Sequence, residues 1–325
     1  MSKRFVCGRN RDEVCELQFS PAASGNSPPL QPDLMINVAQ ATVMLPNGYW
    51  HQGTCYREVQ VRAVAECDEA LGEALSALAH PIERATLLLS RCVTRLGELE
   101  RTESAEVRGL SMGDREALLL HVRRLTFGER MTCVLRCVAC GESMDLELQI
   151  SDLLVPVTTI PKQRYQEFFC CDDARFRVNF RIPTGADVEA AICSGNCVPD
   201  KAAPELLVRC VESVEREDGH EKYTAALAED WPPALVEQIS GRLAEADAQA
   251  EIGLQLTCPV CRHEFPSFFD VTNYLLRELE TRERQLYQDV HQLALAYHWS
   301  ESEILKMSPR KRKLYLDMLA GEHLA

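Results

Sequence analysis

Two Cys-x-x-Cys pairs carry the clearest chemistry in this chain. Cys137-Val138-Ala139-Cys140 is followed by Gly141, and Cys258-Pro259-Val260-Cys261 by Arg262 and His263. Each pair sets two thiolates at the spacing of half a zinc ribbon, and two halves make one tetrahedral four-cysteine site. Four thiolates fill the coordination sphere and leave no place for water, so the expected Zn2+ is structural rather than catalytic. Joining the pairs across 117 intervening residues, Gly141 through Thr257, turns a long insertion into a closed loop. The opposing reading is two redox-active or merely buried cysteine pairs. His263 is expected at the edge of the site, not as a ligand.

Other constellations are sparse. The chain has no Gly-x-x-x-x-Gly-Lys phosphate loop, Gly-x-Ser-x-Gly elbow or His-Glu-x-x-His pair, and its eight histidines are dispersed. No enzyme is expected. An activity hidden in the insertion would have to use Cys170, Cys171 and His220. Cys170, Cys171, Cys193 and Cys197 read as free thiols, the alternative being a second metal site from Cys193 and Cys197 with one of the first two. Arg310-Lys311-Arg312-Lys313 is the one basic cluster.

Composition narrows the class. The 325 residues suggest two or three domains, and 46% hydrophobic with 26% charged residues is ordinary for a globular protein. No run approaches 18 apolar residues, so no membrane span is expected. Met1-Ser2-Lys3-Arg4-Phe5 starts like a signal peptide without an apolar core, which points to the cytoplasm. Fifteen cysteines is an odd count, and it fits free thiols plus a metal site in a reducing compartment better than a disulfide framework. A net charge of −14 repels a nucleic-acid backbone.

The elements that must position the cysteines follow from pattern. Residues 1–40, rich in proline, glycine and serine, read as an extended lead. Thr42–Leu45 and Cys55–Ala63 read as strands around a Pro46-Asn47-Gly48 turn, so residues 41–64 form a hairpin or small sheet. Helices follow over 67–100, broken at Pro81, with Leu87, Leu88, Val93 and Leu96 on the second. Another runs from Asp114 to Gly128. Met131–Val138 and Met144–Ile150 are strands on either side of the first knuckle. In the insertion, Phe176, Val178, Phe180 and Ile182 alternate with polar residues as a strand. Thr184 and Asp187 resemble a capping box, and Trp231-Pro232-Pro233 opens a helix. Ile252, Leu254 and Leu256 lead into the second knuckle. A long helix follows Asp270, then Ser300 with Glu303 caps a short one and Ser308-Pro309 starts the last.

The expected fold is therefore α+β, helix-rich with short β-hairpins and a four-cysteine zinc ribbon assembled from two distant CxxC knuckles. The expected division is 1–40 lead, 41–130 hairpin plus helices, 131–150 with 250–268 zinc ribbon, 151–249 mixed α/β insertion, and 269–325 helical C-terminal region.

Several short segments, taken in order, resemble the T4-type phage baseplate proteins. They are Leu45-Pro46-Asn47-Gly48-Tyr49, Ala117–Leu120, Arg123–Gly128 before a CxxC-Gly knuckle, and Phe180–Thr184. The C-terminal segment adds Tyr287, Val290-His291, Tyr297, Trp299–Glu301, Glu303–Leu305, Arg312 and Tyr315. Hub assembly chaperones of contractile tails belong to that family, although the smallest of them would lack much of the insertion and the second knuckle. The resemblance implies an assembly or structural protein of a phage, tailocin or injection-system baseplate, resident or transient, that contacts other baseplate or hub proteins. The candidate contact residues are Tyr287, His291, Tyr297, Trp299, Arg312 and Tyr315, with the aromatic ones as anchors. The alternative function is a zinc-ribbon nucleic-acid-binding or regulatory protein using Arg310–Lys313.

Overall fold

The computed structural model describes residues 39–322, except 66–68, 100–102, 158–159, 172–173, 195–198, 218–221 and 224–230. The lead up to residue 38, Cys197 and His220 lie outside the described residues. The chain forms two compact units: Leu78–Thr272 with the described residues up to Val64, and Ala65–Ala77 with Asn273–Ala325. The architecture is α+β, with helices and small antiparallel sheets.

The first unit opens with strands β1 (Gln40–His51) and β2 (Thr54–Arg62). Their hairpin turns at Gln52 and Gly53, both at positive φ as a tight two-residue loop requires. The expected Pro46-Asn47-Gly48 turn is instead a bulge inside β1, where the register slips between Met44 and Tyr49. Proline cannot donate to a ladder, and Gly48 sits at φ 78°, so the segment leaves the sheet. Arg57 fills the gap by donating to the carbonyls of Leu45 (3.1 Å) and Pro46 (3.1 Å).

Helix α1 (Glu69–Ser76) belongs to the second unit, and α2 (Pro81–Cys92) returns to the first. Val93 and Leu96 are not helical as expected. They form strand β3 (Val93–Leu96), which completes the sheet in the order β1-β2-β3. The reason is non-local: β2 offers Val59 and Val61 as partners, and both sides of the pairing are buried.

After α3 (Ser104–Gly109), helix α4 (Met112–Phe127) runs through the core. Ser111 caps it by accepting from the Asp114 amide, and Gly128 at φ 94° ends it. Ala117, Leu118, Leu119 and Leu120 are all buried, so apolar packing encircles a full turn. Arg115, 1% exposed, donates from α4 to the carbonyls of Val107 and Ile82 and to the Thr86 hydroxyl, tying α2 and α3 to it.

Strands β4 (Arg130–Arg136) and β5 (Ser143–Gln149) form the first knuckle hairpin, and α5 (Ile150–Leu153) leads into the insertion. The insertion holds β6 (Tyr165–Cys171), β7 (Ala174–Phe180), α6 (Gly185–Ser194), α7 (Pro199–Cys210), β8 (Val211–Arg216), β9 (Lys222–Tyr223) and α8 (Pro233–Ala246). Its four strands pair antiparallel in sequence order. Phe169, Phe176, Val178, Phe180 and Val214 build the buried face with Trp231, Leu235 and Ile239. The other face is wet, with Arg177 on Glu215 and Asn179 on Ser213 across the strands. Half of the expected capping box forms: the Thr184 amide and hydroxyl both donate to Asp187 (2.9 and 2.7 Å), while the Asp187 amide donates to the Thr184 carbonyl (3.1 Å) and not to its hydroxyl. Gln249, 1% exposed, closes the base of the insertion: it accepts from the Val155 amide and donates to the Leu153 carbonyl.

Strands β10 (Ile252–Thr257) and β11 (Glu264–Phe269) form the second knuckle hairpin, and α9 (Val271–Tyr297) begins at once. The second unit consists of α1, most of α9, α10 (Glu301–Leu305) and α11 (Pro309–Glu322). Its core joins Val290, Leu293 and Ile304 to Tyr297, Trp299 and Tyr315. The Ser300–Glu303 capping box forms as expected. Among the described residues no helix is long and apolar enough to cross a membrane.

Phe180 is fully buried in the insertion. Phe180→Ala is expected to cost about 3–5 kcal/mol of stability in chemical denaturation. Arg177→Ala, on the wet face of the same strand, is expected to leave the midpoint nearly unchanged.

Candidate metal centre

The two knuckles are built alike. In the first, the Cys137 amide donates to the Glu142 carbonyl (2.9 Å) and the Gly141 amide to the Cys137 carbonyl (2.8 Å). In the second, Cys258 donates to His263 (2.9 Å) and Arg262 to Cys258 (3.0 Å). The fifth residue of each turn is left-handed, Gly141 at φ 73° and Arg262 at φ 63°. Glycine bears that conformation without strain, whereas arginine does not.

Strand alternation brings the knuckles together. Leu135, Met144 and Leu146 of one hairpin pack against Leu254, Leu256 and Phe265 of the other, with Cys137 and Cys258 in the same cluster. The four thiol sulfurs, Cys137, Cys140, Cys258 and Cys261, then lie within 4.8 Å of one another. The first cysteine of each pair is buried and the second exposed. Cys137 Sγ is 3.5 Å from Cys261 Sγ, and Cys140 Sγ is 3.7 Å from Cys258 Sγ. A tetrahedron with Zn–S bonds of about 2.3 Å has S···S edges of about 3.8 Å. The donor set and its spacing therefore fit zinc.

The local field is uneven. The backbone amides of Cys261 and Val260 hold the Cys258 thiol down, to about 6, which favours the thiolate a metal needs. The Glu142 amide pulls Cys140 the same way, but burial and the three neighbouring thiols outweigh it and push Cys140 up to about 12. His263 stands outside the group, stacked on Phe265 at 5.9 Å. Of the other thiols, burial pushes Cys133 up to about 11 and Cys210 up to about 12. Among the described residues, the four knuckle cysteines form the single metal-competent cluster.

The profile of a family described as T4 bacteriophage base plate protein matches residues 85–276, more than half of the chain. The chain belongs to this family. No curated protein and no solved structure matches it. In this baseplate-family chain the matched region runs from α2 into the start of α9, so it contains both knuckles and the whole insertion. Strands β1 and β2 precede it and most of the second unit follows it.

The candidate contact residues divide in two. Tyr297 stacks on Trp299 at 4.6 Å, and Tyr315 meets both rings edge-on. Arg312 is 5% exposed and donates to the Met307 carbonyl. These four build the interior of the second unit. Tyr287 and His291 lie exposed on α9.

A second polar assembly joins the stretches that carry the knuckles. The Asn47 amide donates to Asp114 Oδ1 (2.8 Å), and its side-chain amide donates to Ser111 (3.1 Å) and Asp247 Oδ1 (2.6 Å). Asp247 Oδ2 accepts from the Gly113 amide (2.9 Å). Both carboxylates are buried. By local pattern Asp114 is a helix start and Asn47 a turn residue. Asn47 and Asp247 are 200 positions apart, and nothing local in either residue signals the pairing.

Arg262→Gly is expected to stabilise the protein by roughly 0.5–1 kcal/mol, the relief of a left-handed residue less the added freedom of glycine when unfolded. Gly141→Arg should do the opposite. Chemical denaturation at constant metal content checks both.

Proposed function

We propose that this baseplate-family chain is a structural or assembly component of a contractile-tail baseplate or hub, in a phage, tailocin or injection system. It works through protein–protein contacts, and a structural Zn2+ held by Cys137, Cys140, Cys258 and Cys261 stiffens its frame. The observation that carries this reading is the family match over a region that holds one cluster of four cysteine sulfurs. A fully thiolate-ligated zinc offers no open position for substrate, and its binding adds on the order of 10 kcal/mol to folding.

The ribbon displays Val138 and Val260 at its knuckles and Phe268 on β11, all exposed. The second unit displays Tyr287, Leu295, Leu314 and Met318. Apolar side chains of this kind suit a partner surface. Tyr297, Trp299, Tyr315 and Arg312 support that surface from beneath. A nucleic-acid role is less well served. Of the basic cluster, Arg312 is buried, while Arg310, Lys311 and Lys313 share a shallow groove with Asp317. Assembly takes place in the cytoplasm of the producing cell, with the protein retained in the finished baseplate or released from it.

Tagged protein purified from particle-producing cells is expected to bring down baseplate or hub proteins and to carry about one zinc per chain. Recovery of no tail protein would overturn the assembly role. Cys137→Ser is expected to lose the zinc and unfold at markedly lower denaturant. Unchanged metal content and midpoint in that variant would overturn the structural zinc.

A further inference from the structure

The buried carboxylates beside α4 are more than a hydrogen-bonded joint. Asp247 is satisfied as an anion, since Oδ1 accepts from Asn47, Oδ2 accepts from Gly113, and it lies at the positive end of α4. Asp114, on the same helix end, is only half satisfied. It is fully buried; the Asn47 amide donates to Oδ1 and the Ser111 hydroxyl and Gly48 amide also favour its charge, but Oδ2 makes no hydrogen bond. Two carboxyls gripping one asparagine inside the protein cannot both ionise cheaply. We propose that the Asn47–Asp114–Asp247 cluster is a proton-controlled latch, which when protonated holds the β1 bulge and the α8–β10 corner onto the first turn of α4 and loosens when it ionises.

The surrounding charges support this. From β2, Arg57 engages the Leu45 and Pro46 carbonyls, and the Cys55 thiol is itself raised, by burial first and by Asp114 after an opposing pull from Arg57. On α4, Arg115 spends its guanidinium on Val107, Ile82 and Thr86. Glu116 faces Asp270 at the start of α9 as well as Asp247, with the Thr272 hydroxyl on its carboxyl. On β6, Tyr165 feels Asp247. Burial pushes Asp114 up to about 7, with the Asn47 amide opposing and Asp247 adding to the rise. Burial likewise raises Asp247 to about 6. It raises Glu116 to about 8, because that carboxyl is enclosed even though part of its side chain reaches the surface.

The sign follows from linkage. Asp114 titrates at about 7 when folded against 3.8 when unfolded. Its contribution is complete below the unfolded value and is lost as pH rises through the folded one. Carboxylates held low in the fold, such as Glu167, act in the opposite sense at acid pH, so a comparison with a variant is needed. Asp114→Asn keeps an oxygen for the Asn47 amide and removes the titration.

The test is denaturation of the full chain and of Asp114→Asn from pH 5 to 9, with zinc content measured in every sample. The unfolding constant of the natural chain, divided by that of the variant, should rise roughly tenfold per pH unit between 5 and 7 and level off above 8. Hydrogen exchange at Asn47 and Gly113, corrected for intrinsic rate, should lose protection over the same range in the natural chain and keep it in the variant. A purely structural cluster would give a pH-independent ratio and protection, which would overturn the latch and leave the zinc reading untouched. Should Asp114→Asn not fold, infrared spectra of Glu116→Gln decide, since that variant lacks the other raised carboxyl. A protonated carboxylic acid band at pH 6 that vanishes by pH 9 in this variant supports the latch, and its full ionisation at pH 6 refutes it.

Discussion

Everything in the first unit depends on a double closure between two stretches of chain more than a hundred residues apart. One stretch is α4 running into β4 and the first knuckle, and the other is the end of α8 running into β10 and the second. They meet at the thiol cluster, where Cys137 faces Cys261, and again at Gly113, whose amide holds Asp247. A covalent cross-link over a loop of about 100 residues removes nearly 5 kcal/mol of unfolded-chain entropy. A metal that spans the same distance draws on the same term. The polar joint then fixes the orientation that a single tether would leave free.

The joint also explains why the core tolerates so many buried polar groups. Arg115, Asp114, Asp247 and Gln249 are each nearly or fully buried. Each bonds backbone groups where elements meet: Arg115 the carbonyls of Ile82 in α2 and Val107 in α3, Asp114 the Asn47 amide in β1, Asp247 the Gly113 amide at the start of α4, and Gln249 the backbone of Leu153 and Val155. Gly185 belongs to the same economy of space, since a Cβ there would lie 2.6 Å from the Arg115 guanidinium. The polar interior marks seams between segments, and the apolar clusters fill each segment on its own.

What could be read from sequence was local or periodic. The CxxC pairs were legible because metal spacing is a property of four consecutive residues. Strands β5 and β7 were legible from alternation, and the Ser300–Glu303 and Thr184–Asp187 caps from their offsets. Pro46-Asn47-Gly48 carries the same residue types in a bulge as in a hairpin turn, and the partner strand decides between them. Strands β3 and β8 each follow a helix with no intervening residue, and their identity comes from strands already in place. That Tyr297, Trp299 and Tyr315 meet one another was not legible, because aromatic identity does not reveal which rings pack together. Asn47, Asp114 and Asp247 were invisible as a set for the same reason at longer range.

The separation of the knuckles has a further meaning in time. Cys140 and Cys258 are 118 positions apart. At about 5–20 residues per second of synthesis, the first pair emerges roughly 6–24 s before its partner exists. During that interval β4 and β5 lack the hairpin that buries Leu135 and Met144, and two nearby thiols stand open to any metal or oxidant. The insertion, whose strands pair in sequence order, can complete its own sheet in that interval. Birth order thus lets the strands between the knuckles pair before the second knuckle exists.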